Sequence, residues 1–96
     1  MICMFNVATI KKEFPIFSKY PDLVYLDSAS TSQTPKRVIS VMDAYYRENR
    51  ANAHRGAYPL AARASELYEN ARATITDFIG AEKDEVIFTF GATHAM

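Results

Sequence analysis

The 96 residues suit one small domain or a piece of a larger one, and a hydrophobic share of 49% argues against wholesale disorder. Eleven acidic side chains balance eleven basic ones and no apolar run is long enough to span a bilayer, so neither nucleic acid nor a membrane is an expected partner. The single cysteine, Cys3, excludes an internal disulfide and a cysteine-rich metal site, which favours a reducing cytoplasm and no bound metal.

The first third of the chain predicts a helix, a turn and a short strand. Apolar residues recur at helical spacing over residues 6–14, and Pro15 is expected to end that helix because proline disrupts a helix interior. Residues 21–23 are predicted to form a turn. The apolar residues 24–26 then favour a short strand, which leads into a run of small polar residues at 27–32.

A second helix is predicted from Thr34 to about Asn49. Thr34 is a residue type that caps helix N-termini, and Pro35 fits the first helical position. The apolar stripe of this helix is formed by Val38, Val41, Met42 and Tyr45. Residues 50–58 are polar and irregular, and we expect them to form a loop.

The longest predicted helix runs from about Pro59 to Ile79, with Gly80 as its C-cap. Its apolar positions follow the helical period: Leu60, Ala64, Leu67, Tyr68, Ala71, Ile75, Phe78 and Ile79. Two pairs of opposite charge at i,i+3 spacing are predicted on its solvated face: Arg63 with Glu66, and Glu69 with Arg72.

The residues after this helix combine an apolar run with a glycine. Val86–Phe90 favours a buried strand, and Gly91, Ala92 and Thr93 favour the start of a further helix. A helix N-terminus presents free backbone N–H groups and Thr93 adds a hydroxyl, which together suit a phosphate group. On spacing alone, a plain strand-to-helix turn is the simpler interpretation.

The order of elements predicts an α/β fold, mostly helical with two short strands.

Several segments occur in an order that resembles a known family: Tyr25–Gln33, Tyr45–Tyr46, Asn52–Gly56 and Gly91–Thr93. They are similar to the N-terminal part of a class-V aminotransferase-fold enzyme, specifically a cysteine desulfurase or selenocysteine lyase. The resemblance covers nearly the whole chain, so residues 1–96 are interpreted as one incomplete N-terminal segment of a fold type I domain. It implies pyridoxal 5′-phosphate (PLP) as cofactor and cysteine or selenocysteine as substrate, with sulfur released from cysteine to leave alanine.

The resemblance also implies roles for individual residues. Gly91–Thr93 matches the segment that wraps the PLP phosphate, with the N–H groups of Ala92 and Thr93 and the Thr93 hydroxyl as donors. Other residues match segments at the substrate pocket, where a basic pair can orient a carboxylate or a sulfur species. These substrate residues are Ala29, His54 and Arg55.

Phe90 departs from the pattern. An arginine usually precedes the phosphate turn in the selenocysteine-lyase-like branch, whereas Gly-Ala-Thr is typical of a related branch of cysteine desulfurases. The lost positive charge leaves room for another class-V enzyme, such as an aminotransferase or a kynureninase-like hydrolase. His94, which follows the turn, is expected to lie at the surface or to contact the cofactor.

The family's catalytic residues lie downstream of the matched region. These are the lysine that binds PLP covalently, the aspartate at the pyridine nitrogen, the histidine that stacks on the ring and the nucleophilic cysteine. No catalytic residue is therefore assigned to this chain, and the chain alone is expected to be inactive.

The intact protein is expected to be a homodimer that passes sulfur to an acceptor protein for iron–sulfur cluster assembly. The remaining alternative is a non-catalytic interaction module.

Two short strands make a poor sheet, so either marginal stability or self-association of the chain is expected.

Overall fold

A computed structural model of the chain describes residues 5–96, so the single cysteine, Cys3, lies outside the described residues. The backbone contacts divide the chain into two compact units. The first ends at Glu48 and the second spans Asn49–Met96, and each is described by itself.

The first unit begins with two short helices rather than one. Helix α1 spans Val7–Lys11, and the Asn6 side chain caps it by accepting a hydrogen bond of 3.1 Å from the N–H of Thr9. Helix α2 spans Pro15–Lys19. The first helix does end before Pro15, but Pro15 also starts the next one, because proline at the first helical position loses no intrahelical hydrogen bond.

Neither predicted strand forms among residues 5–96. Residues 24–26 and 86–89 belong to no helix or strand, because a strand is defined by ladder hydrogen bonds and neither segment has them within the described chain. Val24 is 75% exposed and Leu26 is 89% exposed, so the first segment is also not buried. The predicted turn does form, where the N–H of Leu23 donates to the carbonyl oxygen of Tyr20 at 3.1 Å.

Helix α3 spans Lys36–Ala44 and continues into a single π-helical turn over Tyr45–Asn49. Pro35 occupies the N-cap position that we predicted for Thr34, a shift of one residue, and no side chain caps this helix. The N–H of Lys36 donates to the carbonyl oxygen of Glu13 at 2.8 Å, and the two side chains form an ion pair at 3.3 Å. These contacts fasten the start of α3 to the connection between α1 and α2.

The second unit is built on helix α4, which spans Pro59–Ile79 as predicted. Gly80 caps it in the left-handed conformation at φ 67°, and the N–H of Ala81 donates to the carbonyl oxygen of Thr76 at 3.1 Å. Such a cap satisfies carbonyl groups that the end of a helix leaves unpaired. A short 3₁₀ turn follows at Lys83–Glu85, and helix α5 spans Ala92–Ala95.

The buried core of this unit is small. Its buried residues are Ala61, Ala64 and Thr76 on α4, together with Val86. The C-terminal part of the predicted apolar stripe on α4 is exposed to solvent, with Phe78 89% exposed and Ile79 59% exposed. Among the described residues, no helix combines the length and apolar character needed to cross a bilayer.

Candidate functional site

The turn at Gly91 brings several backbone donors together. Gly91 is the N-cap of α5, and its carbonyl oxygen accepts hydrogen bonds of 3.1 Å from the N–H groups of His94 and Ala95. The N–H groups at the start of a helix have no intrahelical acceptor, so those of Ala92 and Thr93 remain available to a ligand. All three residues of the Gly91 turn, which we define as residues 91–93, are exposed.

Phe90 and His94 flank this turn and contact each other. The two rings stack with centroids 5.4 Å apart and planes inclined by 14°. The N–H of Phe90 donates to Nδ1 of His94 at 3.2 Å, so this nitrogen carries no proton when it accepts the bond. Sequence reasoning placed His94 at the surface or against a cofactor and missed this contact, because Phe90 lies before the N-cap of α5 and helical spacing does not apply to it.

The loop that carries His54 and Arg55, residues 50–58, packs against the first turns of α4. We call it the His54 loop. His54 adopts a left-handed backbone conformation at φ 68°, and its N–H donates to Oγ of Ser65 at 2.7 Å. Ser65 Oγ in turn donates to the carbonyl oxygen of Ala61 at 2.8 Å. Gly56 approaches the same turn so closely that a Cβ atom on it would lie 2.2 Å from Cβ of Ala61.

The His54 side chain is held by two residues of α4. Its ring lies edge-to-face with the Tyr68 ring, with centroids 5.1 Å apart and planes at 90°. Its Nε2 lies 3.8 Å from Oε1 of Glu69, and half of the side chain remains exposed. The neighbouring Arg55 is exposed and has no partner among residues 5–96. A positive guanidinium beside an oriented imidazole is an arrangement that can receive an anionic ligand.

The same face of α4 also contacts the segment that leads to the Gly91 turn. We call Val86–Phe90 the lead segment. The Tyr68 ring makes a second edge-to-face contact with Phe88 at 5.1 Å. Arg72 lies over both rings, 5.3 Å from the Tyr68 centroid and 5.4 Å from the Phe88 centroid, and Nη1 donates to the carbonyl oxygen of Val86.

One of the predicted helix charge pairs therefore lies in a different environment from the one expected. Arg63 and Glu66 form an exposed pair at 2.7 Å, as predicted. Glu69 and Arg72 also pair, at 3.5 Å, but the Arg72 side chain is only 20% exposed, so the prediction of a solvated face is wrong for it. The i,i+3 spacing identifies two side chains that can meet, but it does not say what the outer side of the pair packs against.

Ala29, the remaining predicted substrate residue, belongs to the first unit. It lies in an exposed turn in which the N–H groups of Ser30 and Thr31 donate to the carbonyl oxygen of Asp27 at 3.1 and 3.2 Å. The Tyr25 hydroxyl lies within hydrogen-bond distance of the carbonyl oxygens of Asp27 and Thr31 and can donate to either of them, which connects Tyr25 to this turn. A cavity of about 330 Å³ adjoins it, lined by Phe14, Phe17, Tyr25, Ser28, Ser32 and Gln33.

Within residues 5–96, no three His, Cys, Asp or Glu side chains cluster closely enough to hold a metal ion. The contacts described above bring His54 and the lead segment, which precedes the Gly91 turn, onto one face of α4. The chemistry that these groups offer is anion binding, through free N–H groups, the Thr93 hydroxyl and the Arg55 guanidinium.

Comparisons with known proteins extend this description. The sequence model of the aminotransferase class-V family matches residues 24–96. A probable cysteine desulfurase of Staphylococcus epidermidis is 45% identical over 93 residues, which are 93% of this chain and 22% of that protein. A probable cysteine desulfurase of Streptomyces coelicolor is 42% identical over 98 residues, which are 97% of this chain and 23% of that protein.

The fold has a solved counterpart. The apo structure of a cysteine desulfurase from Thermococcus onnurineus NA1 superposes with a TM-score of 0.78 at 39% sequence identity. The match covers 93% of this chain and 22% of that one. The chain thus spans about a fifth of the length of the curated relatives and of the solved structure that it matches.

Proposed function

Because this chain belongs to the aminotransferase class-V family, we propose that it forms part of a PLP-dependent cysteine desulfurase. The reaction would release sulfur from cysteine and leave alanine. The resemblance predicted from the sequence is confirmed by the family match and by the cysteine desulfurases at 42% and 45% identity. The observation that carries the proposal is the Gly91 turn, which presents free donors directly after the lead segment.

The residues of the Gly91 turn fit the phosphate group of PLP. The phosphate is a dianion that accepts hydrogen bonds, and the turn offers the N–H groups of Ala92 and Thr93 together with the Thr93 hydroxyl. Gly91 adopts φ 152°, a conformation that favours glycine, and residues 91–93 are all exposed, so a ligand can approach these donors. When bound, PLP supplies an electron sink that allows bonds at the substrate's α-carbon and beyond to be broken.

The substrate would contact the residues that the sequence assigned to it. Arg55 has no partner within residues 5–96, so its guanidinium can pair with the α-carboxylate of an amino acid. His54 is oriented by Tyr68 and Glu69 and can exchange a proton with, or hydrogen-bond to, a thiol or an amine. Ala29, which has no polar side chain, would line the pocket.

The remaining parts of the proposal follow from the family. The lysine that binds PLP and the nucleophilic cysteine match no residue here, so the 96-residue chain would turn over no cysteine by itself. The intact enzyme would be a cytoplasmic homodimer that delivers sulfur to an acceptor protein for iron–sulfur cluster assembly. Selenocysteine would be a second substrate of the intact enzyme.

One observation favours a second candidate function. Phe90 replaces the expected arginine, and its ring stacks on His94 at 5.4 Å instead of adding a positive charge beside the phosphate. A different class-V enzyme, an aminotransferase or a kynureninase-like hydrolase, would use the same Gly91 turn. These candidates share the phosphate site and differ in the substrate.

The phosphate site is tested by titrating the purified chain with pyridoxamine 5′-phosphate and, in parallel, with pyridoxamine. Neither compound carries an aldehyde, so surface lysines cannot react with them. We expect the phosphate compound to shift the amide NMR signals of residues 91–93 and to bind at least about tenfold more tightly than pyridoxamine. Thr93→Val should weaken binding about tenfold, whereas Thr74→Val, on the exposed side of α4, should not.

Equal affinity for both compounds, or signal changes located elsewhere, would contradict the phosphate site. A separate assay measures alanine released from cysteine by the chain with PLP. Alanine above the level produced by PLP alone would contradict the expected inactivity of these 96 residues.

A further inference from the structure

We propose that Arg72 is a positioning residue that holds the His54 loop and the lead segment in one arrangement against α4. Its relevance to catalysis rests on the proposed function, which places a substrate residue in the His54 loop and the phosphate donors after the lead segment. The contacts themselves are independent of any ligand.

Arg72 contacts the lead segment in two ways. Nη1 donates to the carbonyl oxygen of Val86, and the guanidinium lies over the ring of Phe88 at 5.4 Å, within the range of a cation–π interaction. Val86 is one of the few buried residues of this unit. Its carbonyl oxygen has no ladder partner among the described residues, so Arg72 provides the hydrogen bond that a neighbouring strand would otherwise provide.

Arg72 contacts the His54 loop through two neighbours. The guanidinium lies 5.3 Å from the Tyr68 centroid, Nη2 lies 3.4 Å from the Tyr68 hydroxyl, and Tyr68 packs edge-to-face against His54. The Arg72 Nε also lies 3.5 Å from Oε2 of Glu69, whose other oxygen faces His54 at 3.8 Å. The ring and the carboxylate that orient His54 are thus both held by one guanidinium.

The geometry requires an arginine. The nitrogens Nε, Nη1 and Nη2 each contact a different partner: the Glu69 carboxylate, the Val86 carbonyl and the Tyr68 hydroxyl. A planar guanidinium presents these donors in fixed directions, whereas a lysine ammonium is a single point charge on a flexible stem. Lys83 Nζ already lies 3.5 Å from the Glu69 carboxylate and supplies such a charge. Neutralisation of Glu69 alone therefore does not explain why an arginine occupies position 72.

The test compares Arg72→Met and Arg72→Lys with Arg63→Met in the ligand-free 96-residue chain. Arg63 lies on the same helix and, within residues 5–96, forms only the exposed pair with Glu66, so its replacement controls for the loss of a charge from α4. The readouts are amide hydrogen exchange and the ring resonances of His54, whose shift depends on the Tyr68 ring current. For Arg72→Met we expect about tenfold faster exchange of the His54 N–H, which donates to Ser65 Oγ, altered amide NMR signals of residues 86–88, and a His54 ring shift toward that of an unstructured peptide.

Arg72→Lys should restore neither the slow exchange of the His54 N–H nor the amide signals of residues 86–88, because a lysine reaches only one of the three partners at a time. Arg63→Met should leave both readouts as they are. Unchanged exchange and an unchanged His54 shift in Arg72→Met would overturn the proposal, as would full rescue by lysine. Equally faster exchange in the middle of α4 would also overturn it, because that result marks general destabilisation.

Failure of this inference is distinguishable from failure of the proposed function, because neither readout needs PLP. A chain that binds no pyridoxamine 5′-phosphate but shows the Arg72 effects would keep the positioning role and lose the phosphate site. If the chain binds pyridoxamine 5′-phosphate but Arg72→Met leaves the His54 ring shift unchanged, the phosphate site is kept and the positioning role is lost.

Discussion

Gly56 and Ala61 lie so close together that a Cβ atom on Gly56 would stand 2.2 Å from Cβ of Ala61 and 2.8 Å from the Tyr58 ring. Ala61 is 0% exposed and belongs to the first turns of α4, so it cannot move aside. We therefore expect Gly56→Ala to lower the free energy of unfolding by about 1–3 kcal/mol, the usual cost of overpacking. Chemical denaturation followed by circular dichroism measures this change.

A matched control is Ala57→Ser, since Ala57 is the next residue in the chain and is exposed. Its effect should stay within about 0.5 kcal/mol. Equal stability of Gly56→Ala and the native chain would show that the His54 loop does not pack on α4 in solution.

The Tyr25 hydroxyl is the contact that fixes the turn carrying Ala29. It lies within hydrogen-bond distance of the carbonyl oxygens of Asp27 and Thr31, and a hydroxyl has one proton to donate, so it bonds one of them at a time. We expect Tyr25→Phe to cost about 1 kcal/mol and to speed amide exchange at Ser30. Exchange measured by NMR reports the turn directly.

The control for this change is Tyr20→Phe, which removes the same hydroxyl from a tyrosine that is 54% exposed. No partner of the Tyr20 hydroxyl is found among residues 5–96, so its removal should have no measurable effect. If the two variants behave alike, the Tyr25 hydrogen bond does not hold the turn.

The elements that the sequence predicted correctly are those determined by local rules. Helix α4 has an apolar period, a proline at its start and Gly80 at its end, and all of these signals lie within the segment itself. The strands at 24–26 and 86–90 were predicted wrongly for the described chain, because a strand depends on a partner that local sequence cannot supply. Pro15 was misread in part, since the same property that ends one helix also starts another.

The candidate site divides in the same way. The Gly91 turn and the His54 loop were predicted as site segments from contiguous residues that resemble a family, and their roles stay predictions. The role of Arg72 was missed, because it depends on Tyr68, Phe88 and the Val86 carbonyl, which the fold brings together from different elements. A pattern of charges on one helix contains no information about such contacts.

Gly80 allows a test of backbone strain without steric crowding. Its φ is 67°, and a Cβ atom there would meet nothing within 4 Å. Gly80→Ala should therefore destabilise the chain by about 1 kcal/mol through the left-handed conformation alone, and Gly80→Asn should cost less because asparagine tolerates that conformation. Thermal or chemical unfolding of the three proteins should give the order glycine, asparagine, alanine. An alanine variant as stable as the native chain would show that α4 does not end in this cap.

The exposed apolar face of α3 predicts self-association. Val41 is 70% exposed, Met42 is 52% exposed and Val38 is 43% exposed, and these side chains share one side of the helix. Burying them between copies is favourable, since each apolar side chain removed from water contributes about 1.5 kcal/mol or more. We expect Val41→Asp to raise the dissociation constant for self-association at least about tenfold, whereas Ser40→Asp, with the same charge on the neighbouring position, should change it much less. Sedimentation equilibrium at several concentrations measures both. A native chain that stays monomeric at every concentration and melts cooperatively would contradict this prediction.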